Sequence, residues 1–239
     1  MKVVCFRYSG LVGHFLRAEA NANGITYPVP PRTVLLGLVG AVLGLEKDDP
    51  QIALADARLA VGGGLPKRFW HKTNVRKDPP APLALRIKPK DKGHSSEQRN
   101  FRFPQEWLWK PDFRVWAALP GELHDEFAAR LRERRWYFTP CLGLAGMLAQ
   151  LEVVGEWTAD HLPARTHLVA SVARQDAGQI DLSAACAAAL TLQSLRMPAE
   201  ATGDRVFTHL AYWVEFRGRP FPLQTDQAWQ CGPETVVFL

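Results

Sequence analysis

Arg32 and Thr33 stand directly behind Pro28, Pro30 and Pro31 and directly ahead of an apolar run, Val34 to Leu45. Each proline ring locks its own φ and disfavours the helical region for the residue before it, so the three prolines fix a stiff, extended approach. Pro31 suits a first helical turn, where a missing N–H costs nothing. A basic residue and a hydroxyl at a helix N-terminus, beside unpaired backbone donors and the positive end of the dipole, suit an anion such as phosphate. Gly37, Gly40 and Gly44 follow at helical spacing on nearly one face. Glycine in a helix interior costs roughly 0.5–1 kcal/mol relative to alanine, so three of them predict close approach of another backbone or a ligand.

A second concentration of chemistry lies downstream. Between Lys67 and Arg102 the chain carries eleven Lys or Arg against Asp78, Asp91 and Glu97, a net of +8, whereas the whole chain is +5 and the remainder therefore −3. Concentrated positive charge is the footprint of a phosphate backbone, and aromatic and turn residues accompany it here as in single-strand binders. Trp70, beside Arg68, His71 and Lys72, joins an aromatic face to cations and could stack an unpaired nucleotide or pack on the domain. Tyr27 offers the same two readings. Arg17 and Arg32 have guanidinium forks suited to phosphate. The candidate nucleic-acid contacts are thus Arg17, Tyr27, Arg32, Thr33, Lys67, Arg68, Trp70, Lys72, Arg76, Arg86 and Lys88, while His14, beside Gly13, reads by itself as structural and joins them only because Gly13 to Arg17 resembles a known family's motif. Trp107 and Trp109 read as packing or subunit contacts.

Metal-independent RNA cleavage would need a tyrosine or histidine as general base and a lysine to steady the developing charge. Tyr27, His71, Lys72 and His94 are the available cast, but the main reading is non-catalytic. No metal-ligand spacing, serine nucleophile elbow or dinucleotide fingerprint is present, and no cofactor is implied. The triplet Gly62-Gly63-Gly64 lacks the Lys-Ser/Thr of a phosphate loop and reads as a hairpin turn.

The elements that must position these residues follow from pattern. At 239 residues, 47% hydrophobic and 22% charged, the chain suits one generous globular domain or two small ones. Cys5, Cys141, Cys186 and Cys231 lie far apart, so neither a zinc site nor a disulfide framework is suggested. The N-terminus carries one lysine without a sustained apolar stretch, and the run Val34 to Leu45 is too short to span a bilayer, which together predict a soluble, cytoplasmic protein without membrane contact. Lys2 to Tyr8 predicts a strand, Thr33 to Leu45 a helix, and Arg58 to Val61 a strand. Phe69-Trp70 and Leu83 to Ile87 predict strands of a protruding basic hairpin over about 66–106. Val115 to Leu119 predicts a strand, and Gly121 to Arg135 an amphipathic helix with Leu123, Phe127 and Leu131 every four residues and Glu126 paired to Arg130. Leu142 to Ala149 predicts a short helix and Glu152 to Trp157 a strand. The order is α+β: a ferredoxin-like, RRM-like βαββαβ domain over 1–160 with the basic hairpin inserted, followed by a smaller, mostly β region over 161–239. In the latter, Leu168 to Ala173 and Val206 to Phe216 predict strands.

One resemblance covers the N-terminus densely and the rest diffusely. Gly13-His14-Phe15-Leu16-Arg17, then Tyr-Pro-Val-Pro-Pro-Arg-Thr from Tyr27 and Leu-Leu-Gly-Leu-Val-Gly-Ala from Leu35, resemble the signature of the Cas-five family. Tyr137-Phe138-Thr139-Pro140-Cys141-Leu142-Gly143-Leu144 is similar to that family's aromatic-Pro-x-Leu-Gly segment. The resemblance implies a RAMP-type subunit of a type I CRISPR Cascade complex, with subtype I-B favoured, that holds the repeat-derived 5′ handle of the guide RNA (crRNA) and caps the assembly. It implies a thumb wedged against that RNA, backbone subunits and a large subunit as partners, and possible contact with target DNA near the protospacer-adjacent motif. One branch of the family cuts precursor RNA with a Tyr, Lys and His set; here the Lys-His pair is replaced by His71-Lys72 in reverse order and a separated Lys92 and His94.

Overall fold

Lys2–Ser9 (β1) is apolar on both faces because both are covered. Val4, Phe6 and Tyr8 enter the main core, whereas Val3 and Cys5 enter a second cluster beneath the sheet with Ala60, Trp116, Cys231 and Val236. The computed structural model describes residues 1–17, 19–20, 23–47, 49–76 and 100–239. Arg86, Lys88, His94 and the strand expected over Leu83 to Ile87 lie outside the described residues.

Helix α1 (Arg32–Leu43) starts one residue earlier than the pattern predicts and stops at Gly44, whose φ of 87° is left-handed. Pro31 precedes the first turn in an extended conformation instead of occupying it. Leu35, Leu36, Val39 and Val42 are buried, and the last carbonyls are answered from elsewhere in the chain: Tyr137 N–H and Arg130 Nη1 donate to Val42 O, and Phe138 N–H to Ala41 O. β2 (Arg58–Gly62) follows. It does not turn back on the next strand, as a hairpin at the glycine triplet would require; β3 (Lys67–Arg76) belongs to another sheet. The triplet is a passage between sheets, and a Cβ at Gly63 would meet Asp112 O at 2.8 Å.

β3 pairs with β4 (Asn100–Trp109) in continuous antiparallel register from Lys67↔Trp109 to Arg76↔Asn100. β5 (Asp112–Ala118), α2 (Glu122–Glu133) and β6 (Gln150–Thr158) complete the core. In chain order the core runs strand, helix, strand, strand, helix, strand, with the β3–β4 hairpin inserted between its second and third strands. Its sheet runs β2-β5-β1-β6, every pair antiparallel. Phe127, Ala128 and Leu131 of α2 pack on this sheet, Phe127 edge-on to Phe6 at 5.8 Å. Acidic residues fill the first turn of α2 and arginines the last, as its dipole favours, and Arg130 pairs with Glu126 at 2.5 Å.

The short helix expected over Leu142 to Ala149 is instead a folded loop closed by a bridge between Cys141 and Leu148, with Leu142 N–H donating to Met147 O at 2.7 Å. Gly143, with φ at 95°, and Gly146 break the helical pattern there. After it come β7 (Arg165–Val169), the short helix α3 (Leu182–Ala187), β8 (Leu192–Ala201), β9 (Phe207–Glu215), β10 (Phe221–Thr225), β11 (Ala228–Cys231) and β12 (Glu234–Val237). β7, β10, β11 and β12 form a sheet whose Cys231 and Val236 cover the underside of the core sheet. The β8–β9 hairpin sends Leu195, Met197, Tyr212 and Val214 into the main core.

Candidate functional site

Two motifs far apart in sequence are brought together beside the start of α1. Phe15–Leu16 pairs with Thr26–Tyr27 in a two-residue ladder, Phe15 opposite Tyr27. Phe15 N–H donates to Thr26 Oγ1 at 2.8 Å, and Thr26 N–H to Glu106 Oε2 at 3.2 Å. The buried Glu106 carboxylate is also paired with Arg68 at 3.2 Å, so it ties the base of the β3–β4 hairpin to this ladder. The loop after Pro140 closes the other side: His14 N–H donates to Leu142 O at 2.9 Å, and a side chain at Gly143 would collide with His14 O.

A pocket of about 350 Å³ opens here, within the size of small-ligand sites. Its lining is mainly apolar, including Phe15, Leu16, Val34, Leu144 and Phe207, with His14, Tyr27, Thr33 and His209 as polar members. Three of these leave a buried polar atom unpartnered: His14 Nε2, Tyr27 Oη and His209 Nε2. Unpaired buried polar atoms are costly, so three lining one pocket mark a place built to receive hydrogen bonds. His14 Nδ1 lies 2.8 Å from Glu106 O. A carbonyl only accepts, so Nδ1 donates, and Nε2 is the ring nitrogen left without a partner. Burial raises the Tyr27 pKa above its ordinary value, as does the nearby Glu19, so the phenol keeps its proton and serves as a donor. Arg17 lies over the Tyr27 ring at 5.3 Å and pairs loosely with Glu19 at 3.6 Å.

Other sequence-predicted residues fall elsewhere. Arg32 donates to Ala55 O (2.7 Å), Ala57 O (3.1 Å) and Ala199 O (3.2 Å), so its fork binds the protein's own carbonyls instead of standing free for phosphate. The glycine face is likewise not left for a ligand along its length. A Cβ at Gly40 would strike Pro50, one at Gly44 would meet the Tyr137 ring at 2.6 Å, and only Gly37 of the three faces open space. Lys67, Arg68, Trp70, His71, Lys72 and Arg76 all lie on β3. Successive side chains of a strand point to opposite faces. Trp70, 56% exposed, therefore shares a face with Arg68 and Lys72, while His71 stacks on Trp107 across the other. His71 and Lys72 cannot act as an adjacent pair on one face. Pro198, Phe207 and His209 were not singled out by the sequence; they reach the pocket from the β8–β9 hairpin, and no local pattern links them to Tyr27.

Comparison with known proteins gives first the fold and then the family. The fold is shared with a chain of a CRISPR RNA-guided surveillance complex, with a TM-score of 0.57 and 16% identity over 92% of this chain and 91% of that one. It is also shared with a CRISPR protein from Archaeoglobus fulgidus, with a TM-score of 0.53 and 13% identity over 99% and 98%. No curated protein matches the chain in sequence. The family model described as CRISPR-associated protein (Cas_Cas5) matches residues 3–176, and the chain belongs to that family. Among the described residues no helix is long and apolar enough to cross a membrane.

Proposed function

We propose that this chain is a non-catalytic RNA-binding subunit of a type I CRISPR Cascade surveillance complex that holds the 5′ handle of the crRNA and caps one end of the assembly in the cytoplasm. The observation that carries the reading is the convergence of His14, Phe15 and Leu16, of Tyr27 and Thr33, and of Gly143 and Leu144 on one pocket with three unpartnered polar atoms. An unpaired base turned out of its strand has the flat apolar faces and polar edge that such a lining suits. Arg17 over the Tyr27 ring, with Arg68, Lys72 and Arg76 along β3, supplies cations for the backbone, and exposed Trp70 a ring. The interleaving of strands and helices and the sheet order β2-β5-β1-β6 support reading the core as the ferredoxin-like plan, with the β3–β4 hairpin as thumb. The partners are the backbone subunits along the spacer and the large subunit, with target DNA near the protospacer-adjacent motif as a further contact.

The test mixes the protein with its genomic repeat RNA, labelled at the 5′ end, without metal, on native and denaturing gels. Intact but shifted RNA, with affinity reduced at least fivefold by Tyr27→Phe or His14→Ala, is the expected result. Tyr27, His14 and His209 also make up an acid–base set around one pocket, so a discrete shorter product lost in those variants would make the chain a precursor-processing nuclease. No shift at low salt would remove the reading.

A further inference from the structure

The β3–β4 hairpin has two unlike faces. Arg68, Trp70 and Lys72 share one with Glu106, whose carboxylate holds Arg68. The other carries Lys67, Phe69, His71, Thr73, Gln105, Trp107 and Trp109, with no carboxylate among them. The His71 ring lies over Trp107 at 4.1 Å with 30° between planes and is exposed on its outer side. Phe69 stands edge-on to both Trp107 and Trp109 at 6.0 Å, which braces the two indoles. Trp107 Nε1 donates to Gln105 Oε1, as does Thr73 Oγ1 at 3.0 Å, so the inner ring is also held by hydrogen bonds. Trp109 is 44% exposed, with Lys67 directly across the ladder and Lys110 Nζ 5.7 Å from its ring.

We propose that this face is a second nucleic-acid site, a stacking platform for an extended single strand, separate from the pocket and from the Trp70 face. Trp109 and His71, exposed beside Lys67 and Lys110 on a face with no carboxylate among its described residues, fit a polyanion with flat apolar bases better than an apolar protein surface. The two exposed rings, Trp109 and His71, stand four strand positions apart, about 13 Å, whereas bases along a duplex strand rise about 3.4 Å. The platform therefore suits an unstacked, extended strand and excludes a duplex. Stacking uses π-faces that every base offers, so recognition is independent of sequence. The proposal does not depend on the handle reading.

The experiment measures fluorescence anisotropy of labelled oligodeoxythymidine, oligouridine and a duplex of equal length against the purified full chain and the variants Trp109→Ala, His71→Ala and Trp109→Phe. Both single strands are expected to bind, and Trp109→Ala or His71→Ala to weaken them by roughly 5- to 150-fold, the loss of one stacked base. Trp109→Phe should retain most of the affinity, and the duplex should bind more weakly and ignore the substitutions. A preference for one strand type identifies whether RNA or DNA is the ligand. Unchanged single-strand affinity in both alanine variants overturns the proposal, as does duplex binding that is equally tight and equally sensitive. Loss of oligonucleotide affinity with Tyr27→Phe but not with the platform variants assigns the strand to the pocket. Absence of any oligonucleotide binding at low salt overturns the proposal as well. Unaltered thermal unfolding of the variants, whose side chains are exposed, excludes misfolding as the cause.

Discussion

Arg32 and Arg17 illustrate how two similar residues acquire opposite roles. Both are arginines beside family-like motifs, but Arg32 donates to three backbone carbonyls, whereas Arg17 lies half in solvent over Tyr27. Removing Arg32 strands carbonyls that its guanidinium satisfies, a loss of about 1–3 kcal/mol. Arg32→Ala should therefore lower the melting temperature by about 2–4 °C for each kcal/mol in a chain of this size. It should leave the salt dependence of repeat-RNA binding unchanged. Arg17→Ala should show the reverse, with little change in melting and a salt slope reduced by about one phosphate contact. Thermal melts and a salt titration on the two variants check this; a reduced slope for Arg32→Ala would return that residue to the RNA path.

Among elements, α1 and its C-terminal cap carry three glycines that the structure separates into three situations. Gly37 faces open space, so Gly37→Ala should stabilise the protein by roughly 0.5–1 kcal/mol, the helix-propensity difference. Gly40 is pressed by Pro50, and Gly40→Ala should cost about 1–3 kcal/mol through overpacking. Gly44→Ala should cost about 1–2 kcal/mol for the left-handed conformation alone, before the Tyr137 ring has to move. Denaturant titrations would rank the three, and a stabilising Gly40→Ala would contradict the packing described. The hairpin shows the same limit of pattern reading. Its first strand is legible at Phe69-Trp70. Its partner, Asn100–Trp109, is obscured by Pro104 and by an aromatic face that reads as packing until the register reveals which rings share it.

At the scale of the molecule, the region after residue 160 is not an appendage to the core. Leu195, Met197, Tyr212 and Val214 of the β8–β9 hairpin are buried with Phe6 and Leu35, while Cys231 and Val236 cover the sheet's other face. A fragment ending at residue 160 should therefore expose both clusters. Its expected behaviour is dye binding and no cooperative melting, against a single transition for the full chain. A cooperatively folding fragment, followed by calorimetry and circular dichroism, would show that the core needs no C-terminal cover.

The sequence by itself determined the strand-helix-strand order of the core, the stiff proline entry to α1, the strand at Phe69-Trp70 and the family, because each is written in local periodicity, proline geometry or contiguous motif. It could not determine which cations are free, since Arg32 is engaged by carbonyls as remote as Ala199. Nor could it assemble the pocket, whose His14, Tyr27, Gly143 and His209 span most of the chain. Those outcomes depend on which surfaces the C-terminal hairpin and the loop after Pro140 bury. Burial between distant segments is decided by packing of the whole core, and nothing in a local window encodes it.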